Sequence, residues 1–202
     1  MSHGVADGYT YYKIFSMLSS KSSIVAMSAT RQEIFLEKSK EAMTSADFTS
    51  GAYPAVNAIS TYLFGKKGKM CAYYIDPQAV ERLKTTSKAN GQASYVSTND
   101  IVTSYYANVV SPRILYVPYN SRQKVPGISD KDAGNYSEIL YLDSSAYSSP
   151  SVLSSILEKG MPLENQTGDP LPSVFTAAFE STAIIANWTS YSAYGKILAT
   201  AC

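Results

Sequence analysis

Apolar residues recur at helical spacing from the start of the chain. Tyr11, Ile14, Phe15 and Leu18 stand at i, i+3, i+4 and i+7, which predicts a helix over 9–18 with that stripe buried. The polar run Ser19-Ser20-Lys21-Ser22-Ser23 breaks it. From Arg31 to Thr44, Ile34, Phe35, Ala42 and Met43 alternate with charges and predict a second, partly exposed helix. The next segment is loosely patterned and ends in Gly65-Lys66-Lys67-Gly68-Lys69. That lysine turn lacks the Ser or Thr and the longer glycine spacing of a phosphate loop, so a solvated turn is the plainer reading.

Met70 to Ile75 is a short apolar run and predicts a strand. Asp76 and Pro77 form an N-cap and first-turn pair for a helix running through Val80, Leu83 and Ala89 to Asn90-Gly91. Ser97-Thr98-Asn99-Asp100 is a second cap, opening a helix with Ile101, Val102, Tyr105 and Val109 on its buried side and Pro112 at its end. Arg113 to Tyr119 is the clearest strand, and its proline argues for an edge or a bulge. A turn-rich passage from Val125 to Gly134 leads to a strand from Asn135 to Leu142 and a short helix from Pro150 to Lys159. Gly160, Pro162, Gly168, Pro170 and Pro172 mark a loop, after which a helix around Val174 to Glu180 and a buried strand from Thr182 to Trp188 complete the chain. The alternation of strands and helices predicts an α/β fold, a mixed sheet with flanking helices. No repeat or low-complexity linker divides residues 1–202, so a single domain is expected.

Composition narrows the partners. Seventeen basic and sixteen acidic residues give a net charge of +1, which argues against nucleic acid as a ligand. No apolar run approaches a membrane span, and Met1 is followed by polar Ser2 and His3 rather than a basic and then apolar signal segment. The expectation is a cytoplasmic protein with no membrane partner. Cys71 and Cys202 have no Cys or His neighbours at metal spacing and are read as free thiols, and no metal site is expected. Seventeen tyrosines suggest many half-buried positions where a ring packs and its hydroxyl stays bonded.

The candidate chemistry lies in His3-Gly4-Val5-Ala6-Asp7-Gly8, which holds the one histidine of the chain. An imidazole titrates near neutral pH and can take a proton from an attacking hydroxyl or amine and pass it to a leaving group. Asp7 stands four residues on, where it can support the loop, and Gly8 lets the backbone turn. On spacing alone, a single histidine beside a small-residue loop is more often structural than catalytic.

His-x-x-x-Asp-Gly running into a helix resembles the active-site signature of the chloramphenicol-acetyltransferase-like superfamily, which includes BAHD-type acyltransferases and the condensation domains of peptide synthetases. Three further stretches resemble it in order. They are Val96-Ser97-Thr98-Asn99-Asp100-Ile101, the pair Asn120-Ser121-Arg122-Gln123-Lys124-Val125-Pro126-Gly127 and Ala133-Gly134-Asn135-Tyr136, and Ile185-Ala186-Asn187-Trp188-Thr189-Ser190. The chain departs from the pattern at Ala186, where a threonine is usual, and lacks the Asp-Phe-Gly-Trp-Gly element of plant members, with Tyr194-Gly195-Lys196 near its place.

The resemblance implies one lobe of a two-lobed fold. It also implies an acyltransferase that moves an acyl group from a CoA thioester to a hydroxyl or amine of a small-molecule acceptor. His3 would be the general base, with Asp7 and Gly8 shaping its loop and Trp188 and Thr189 donating to the oxyanion. Ser97, Thr98 and Asn99 would line the donor channel. Asp7 would form a structural ion pair with Arg122, against the plainer reading of Arg122 as a surface charge. Acyl-CoA is the co-substrate, with no tightly bound cofactor. Family members carry a lobe before the histidine motif, so a fragment is expected, completed by the missing N-terminal lobe or by a homo-oligomer. The competing reading is a catalytically inactive binding module of the same fold. A serine hydrolase is disfavoured because no Gly-x-Ser-x-Gly occurs.

Overall fold

A computed structural model describes residues 5–18, 23–42, 47–65, 68–89, 93–158 and 180–187. The elements are α1 (Gly8–Met17), α2 (Glu33–Ala42), α3 (Asp47–Phe64), α4 (Pro77–Ala89), α5 (Thr98–Val110), β1 (Ile114–Asn120), β2 (Ser137–Leu142), α6 (Ser144–Tyr147), α7 (Pro150–Glu158) and β3 (Thr182–Ile184). They give an α/β architecture in which a mixed sheet of order β2-β1-β3 is flanked by helices. β3 lies parallel to β1, with Ile114, Leu115 and Tyr116 opposite Thr182, Ala183 and Ile184. β2 runs antiparallel along the other side. Tyr116 meets Tyr141 edge to face at 5.2 Å, and just past the end of β1 the Ser121 N–H donates to the carbonyl of Tyr136, the residue before β2, at 2.9 Å.

The chain divides into two compact units, residues 1–41, 118–139 and 186–202 in the first and 42–117 and 140–185 in the second. In the second unit, α5 packs against α4, α6 and α7. Its N-terminus is tied by a capping box: the Ser97 hydroxyl accepts from the Asp100 N–H at 3.1 Å, and the Asp100 carboxylate accepts from the Ser97 N–H at 2.7 Å. Ser111, in the left-handed region at φ 48°, closes its C-terminus just before Pro112. A small apolar cluster forms where Val96 and Ile101 meet Ala93, with Leu83 of α4 against it.

The buried face of α5 differs from the expected stripe. Tyr105 and Val109 point to solvent, Val102 is half-buried, and Asp100, Ile101, Thr103, Ser104 and Ala107 face inward. Small residues allow close approach, and hydroxyl and amide groups make the link. Ser104 Oγ donates to the Tyr147 carbonyl at 2.9 Å, and Asn108 Nδ2 donates to the same carbonyl at 3.1 Å. Tyr147 in turn donates through its hydroxyl to the Pro112 carbonyl at 2.6 Å. α6, absent from the sequence reading, is started by Asp143, whose carboxylate accepts from the N–H groups of Ser145 and Ala146.

Other expectations are corrected in the same way. In α1 the stripe Tyr11, Ile14 and Leu18 is exposed and Thr10 is the buried residue, because the helix is fastened by polar groups at its first turn. The loosely patterned segment is the 18-residue helix α3, whose Gly51 and Pro54 hide the periodicity. Met70 to Ile75 forms no strand. Pro118 stands in the central strand rather than at an edge, and is tolerated there because the β3 ladder ends at Tyr116. The C-terminal strand is three residues long and half-buried to exposed, not buried. The loop marked by Gly160 to Pro172 and the helix expected from Val174 lie outside the described residues.

The capping box makes the first prediction. Ser97→Ala leaves the Asp100 N–H without its acceptor and is expected to lower stability by about 1 kcal/mol, read as a shift of the urea midpoint with an unchanged slope. Ser97→Asp, which keeps an acceptor at the cap, is expected to recover most of the loss.

Candidate functional site

The site is built around Arg122, which follows β1 in the first unit. Asn120 and Arg122 are two residues apart and present their side chains together, the Arg122 Nη1 donating to Asn120 Oδ1 at 3.0 Å. The remaining guanidinium donors are all engaged. Nη1 donates to Asp7 Oδ2 at 2.6 Å, Nη2 to Thr10 Oγ1 at 2.8 Å and to the Gly134 carbonyl at 3.1 Å, and Nε to the Asp132 carbonyl at 3.0 Å. Arginine has five N–H donors, and each has an acceptor here. The rings of Tyr9 and Tyr136 stand 4.5 and 4.9 Å from the guanidinium carbon.

Asp7 has a second task as the N-cap of α1. Its Oδ1 accepts from the Thr10 N–H at 2.9 Å, while Oδ2, already bonded to Arg122, also accepts from the Tyr136 N–H at 2.9 Å. Its own N–H donates to the Gly134 carbonyl at 3.1 Å. Thr10 Oγ1 donates to that carbonyl at 2.9 Å and accepts from the Gly134 N–H at 3.1 Å. Gly134 takes this position because its φ of 145° is unfavourable for any side chain, and a Cβ there would stand 3.1 Å from the Tyr136 ring. The start of α1, the end of β1 and the loop before β2 are thus joined at one buried point.

A layer of neighbours holds the loop in turn. Ser28 pairs with Asp132 in a parallel bridge, and Gln32 donates to Asp132 Oδ1 at 2.9 Å. Asp132 Oδ2 accepts from both the N–H and the hydroxyl of Ser129. The Tyr136 hydroxyl accepts from the Gln32 N–H at 3.0 Å, and its ring meets Phe35 of α2 edge to face.

Two carboxylates are buried here, and both stay ionised. Burial pushes the Asp7 carboxyl upward, but the Arg122 hydrogen bond, the N–H groups of Thr10 and Tyr136 and the guanidinium charge outweigh it, holding Asp7 below the usual carboxylate range. For Asp132, burial again opposes, and the two bonds from Ser129, the bond from Gln32 and the Arg122 charge bring it below its ordinary value. With its oxygens committed to Arg122, Thr10 and Tyr136, Asp7 is placed to shape a loop rather than to exchange protons.

The structure therefore brings Asp7 and Arg122 together, with Gly8 as the first helical residue beside them. His3, Trp188 and Thr189 lie outside the described residues. Ser97, Thr98 and Asn99 belong to the second unit, where the Ser97 hydroxyl is occupied as a cap, Asn99 is half-buried and Thr98 is exposed. Sequence reasoning missed Thr10, Asn120, Asp132 and the facing rings of Tyr9 and Tyr136 as parts of this network. Only Thr10 carried a local signal, standing three residues after an aspartate N-cap. Among the described residues, no group of three or more His, Cys, Asp or Glu is placed to hold a metal. Nor is any described helix long and apolar enough to cross a membrane.

No family model matches the chain, and no curated protein matches it. Among the solved structures similar to it are two condensation-domain structures. One is the first condensation domain of the CDA synthetase, at 17% identity and a TM-score of 0.36 over 78% of this chain and 40% of that one. The other is the first condensation domain of the calcium-dependent antibiotic synthetase with a substrate analogue, at the same identity and TM-score over 77% and 41%. The chain thus spans about two fifths of the length of the structures it matches. A likeness of this size fixes neither fold family nor chemistry.

The network generates two predictions. Removing Arg122 strands a buried carboxylate, so Arg122→Met is expected to lower stability by about 3–5 kcal/mol, measured by chemical denaturation. Arg122→Lys, with three donors on a point charge, is expected to recover only a minor part. The second concerns acid. Both folded pKa values lie below the ordinary 3.8, so the stabilisation from ionised Asp7 and Asp132 is complete above that value and is lost as pH falls through the lowered folded values. Denaturation midpoints measured from pH 6 downward are expected to fall steeply below about 4, and Asp7→Asn is expected to flatten that limb.

Proposed function

We propose that the protein is an acyltransferase that moves an acyl group from a CoA thioester to the hydroxyl or amine of a small-molecule acceptor, with His3 as general base. The observation that carries this reading is the fixing of Asp7. The aspartate of the His-x-x-x-Asp-Gly signature is buried, ionised and held by Arg122 at 2.6 Å while capping α1, which anchors the loop four residues after the histidine. That is the support the chemistry needs, since a general base must be held within hydrogen-bond reach of its proton.

In this reaction the His3 imidazole takes the proton from the acceptor O–H or N–H as its oxygen or nitrogen attacks the thioester carbonyl. The tetrahedral oxyanion collapses, the C–S bond breaks, and the imidazolium returns the proton to the thiolate. Donors aimed at the oxyanion lower the barrier, and the indole N–H of Trp188 and the hydroxyl of Thr189 are assigned that role. Ser97, Thr98 and Asn99 are assigned to the donor channel. Asp7 and Arg122 act through the loop and exchange no proton.

Release of free thiol from acetyl-CoA in the presence of a panel of alcohols and amines tests the proposal. His3→Ala is expected to lower the rate by about 10²–10⁴-fold while leaving the urea midpoint unchanged. Saturable acyl-CoA binding with no thiol release, equal in wild type and His3→Ala, would instead identify a binding module.

A further inference from the structure

The segment Met70–Ile75, expected as a strand, stands in the second unit with no partner among the described residues. None of its residues makes a hydrogen bond or ring contact with any described residue. Its side chains are apolar and project into solvent: Met70 is fully exposed, Tyr73 and Tyr74 are 85% and 87% exposed, and the Cys71 thiol is free. Six residues of β-favouring or apolar character, with free main-chain groups and no proline, form a template for pairing with another chain.

The ends of the segment say which chain. Lys69 opens it and Asp76 closes it, with no other charge between them. Laid antiparallel against its own copy about a two-fold axis, it places Lys69 opposite Asp76 at both ends. Met70 then lies opposite Ile75, Cys71 opposite Tyr74 and Ala72 opposite Tyr73. Every apolar residue gains an apolar neighbour, and both charges are matched. Parallel pairing in register would instead set Lys69 beside Lys69 and Asp76 beside Asp76, which the charges reject. Asp76 also caps α4 by accepting from the Gln78 N–H at 2.9 Å, and Arg82 stands 3.9 Å from its other oxygen. A carboxylate has acceptor sites enough for these and for a lysine.

We propose that Lys69–Asp76 is a homodimerisation strand that pairs antiparallel with the same segment of a second copy of this chain. The interface is isologous, so each copy uses one patch and the assembly closes at two. A two-stranded ribbon is marginal alone, which makes the dimer concentration-dependent.

Sedimentation velocity on the full chain, from micromolar to hundreds of micromolar, is expected to show a monomer passing to a dimer. Lys69→Glu sets two like-charge pairs in place of two attractive ones and is expected to weaken association by about tenfold or more. The double variant Lys69→Glu with Asp76→Lys is expected to restore it. Because Asp76 also caps α4, a cross-link provides a reading that leaves the cap intact. In a Cys202→Ser background, Tyr74→Cys sets a second thiol opposite Cys71 of the other copy, and mild oxidation is expected to give a covalent dimer. Cys202→Ser alone is expected to stay uncross-linked, because two Cys71 residues do not face each other in this register. A monomer at every concentration, a dimer indifferent to Lys69→Glu, or no cross-link in the Tyr74→Cys variant would each overturn the proposal.

Discussion

The first unit depends on one cation placed where water cannot reach it. Arg122 is buried, and an unpaired guanidinium there would be untenable, so the chain supplies five acceptors: the carboxylate of Asp7, the side chains of Thr10 and Asn120, and the carbonyls of Asp132 and Gly134. The five acceptors come from three local structures: the capped first turn of α1, the end of β1 and the turn before β2. The ion pair therefore works as a joint. Its directional bonds fix the angle at which α1 leaves the loop, which apolar packing alone, being non-directional, would leave less defined.

The same logic explains why α1 presents exposed apolar residues. A helix held at its first turn by Asp7 and Thr10 has no need to bury the stripe Tyr11, Ile14 and Leu18 within its own unit, and Tyr11 instead stacks along the helix on Phe15 at 6.0 Å. In the second unit α5 shows the corresponding feature on a larger scale. Its inner face is small and hydroxyl-bearing, and the bonds from Ser104 and Asn108 to the Tyr147 carbonyl draw α5 and α6 close. Within each unit, polar groups fasten the elements where they converge, and in the second unit the aliphatic cluster of Val96 and Ile101 packs beside them.

For the proposed chemistry, this division of labour matters. Asp7 is ionised and saturated with donors, so it shapes and does not shuttle. In the proposed reaction the proton-handling role is assigned to the histidine, since an imidazole ordinarily titrates near neutral pH.

How much of this was legible in the chain depended on distance along it. Caps were legible because they are local: Ser97 with Asp100 and Asp76 before Pro77 read as helix starts and are helix starts. β1, β2 and α7 announced themselves through short apolar runs bounded by turn residues. The pairing of Asp7 with Arg122, 115 positions apart, entered as an implication of a resembling motif and not from the residues themselves. The sequence by itself determined where most helices and strands begin and end, since propensity, capping and turn chemistry act over a few neighbouring residues. Which faces are buried, why Met70–Ile75 is no strand within its own unit, and which donors meet at Arg122 were decided only by the tertiary structure, because burial and hydrogen-bond saturation are properties of segments brought together in space.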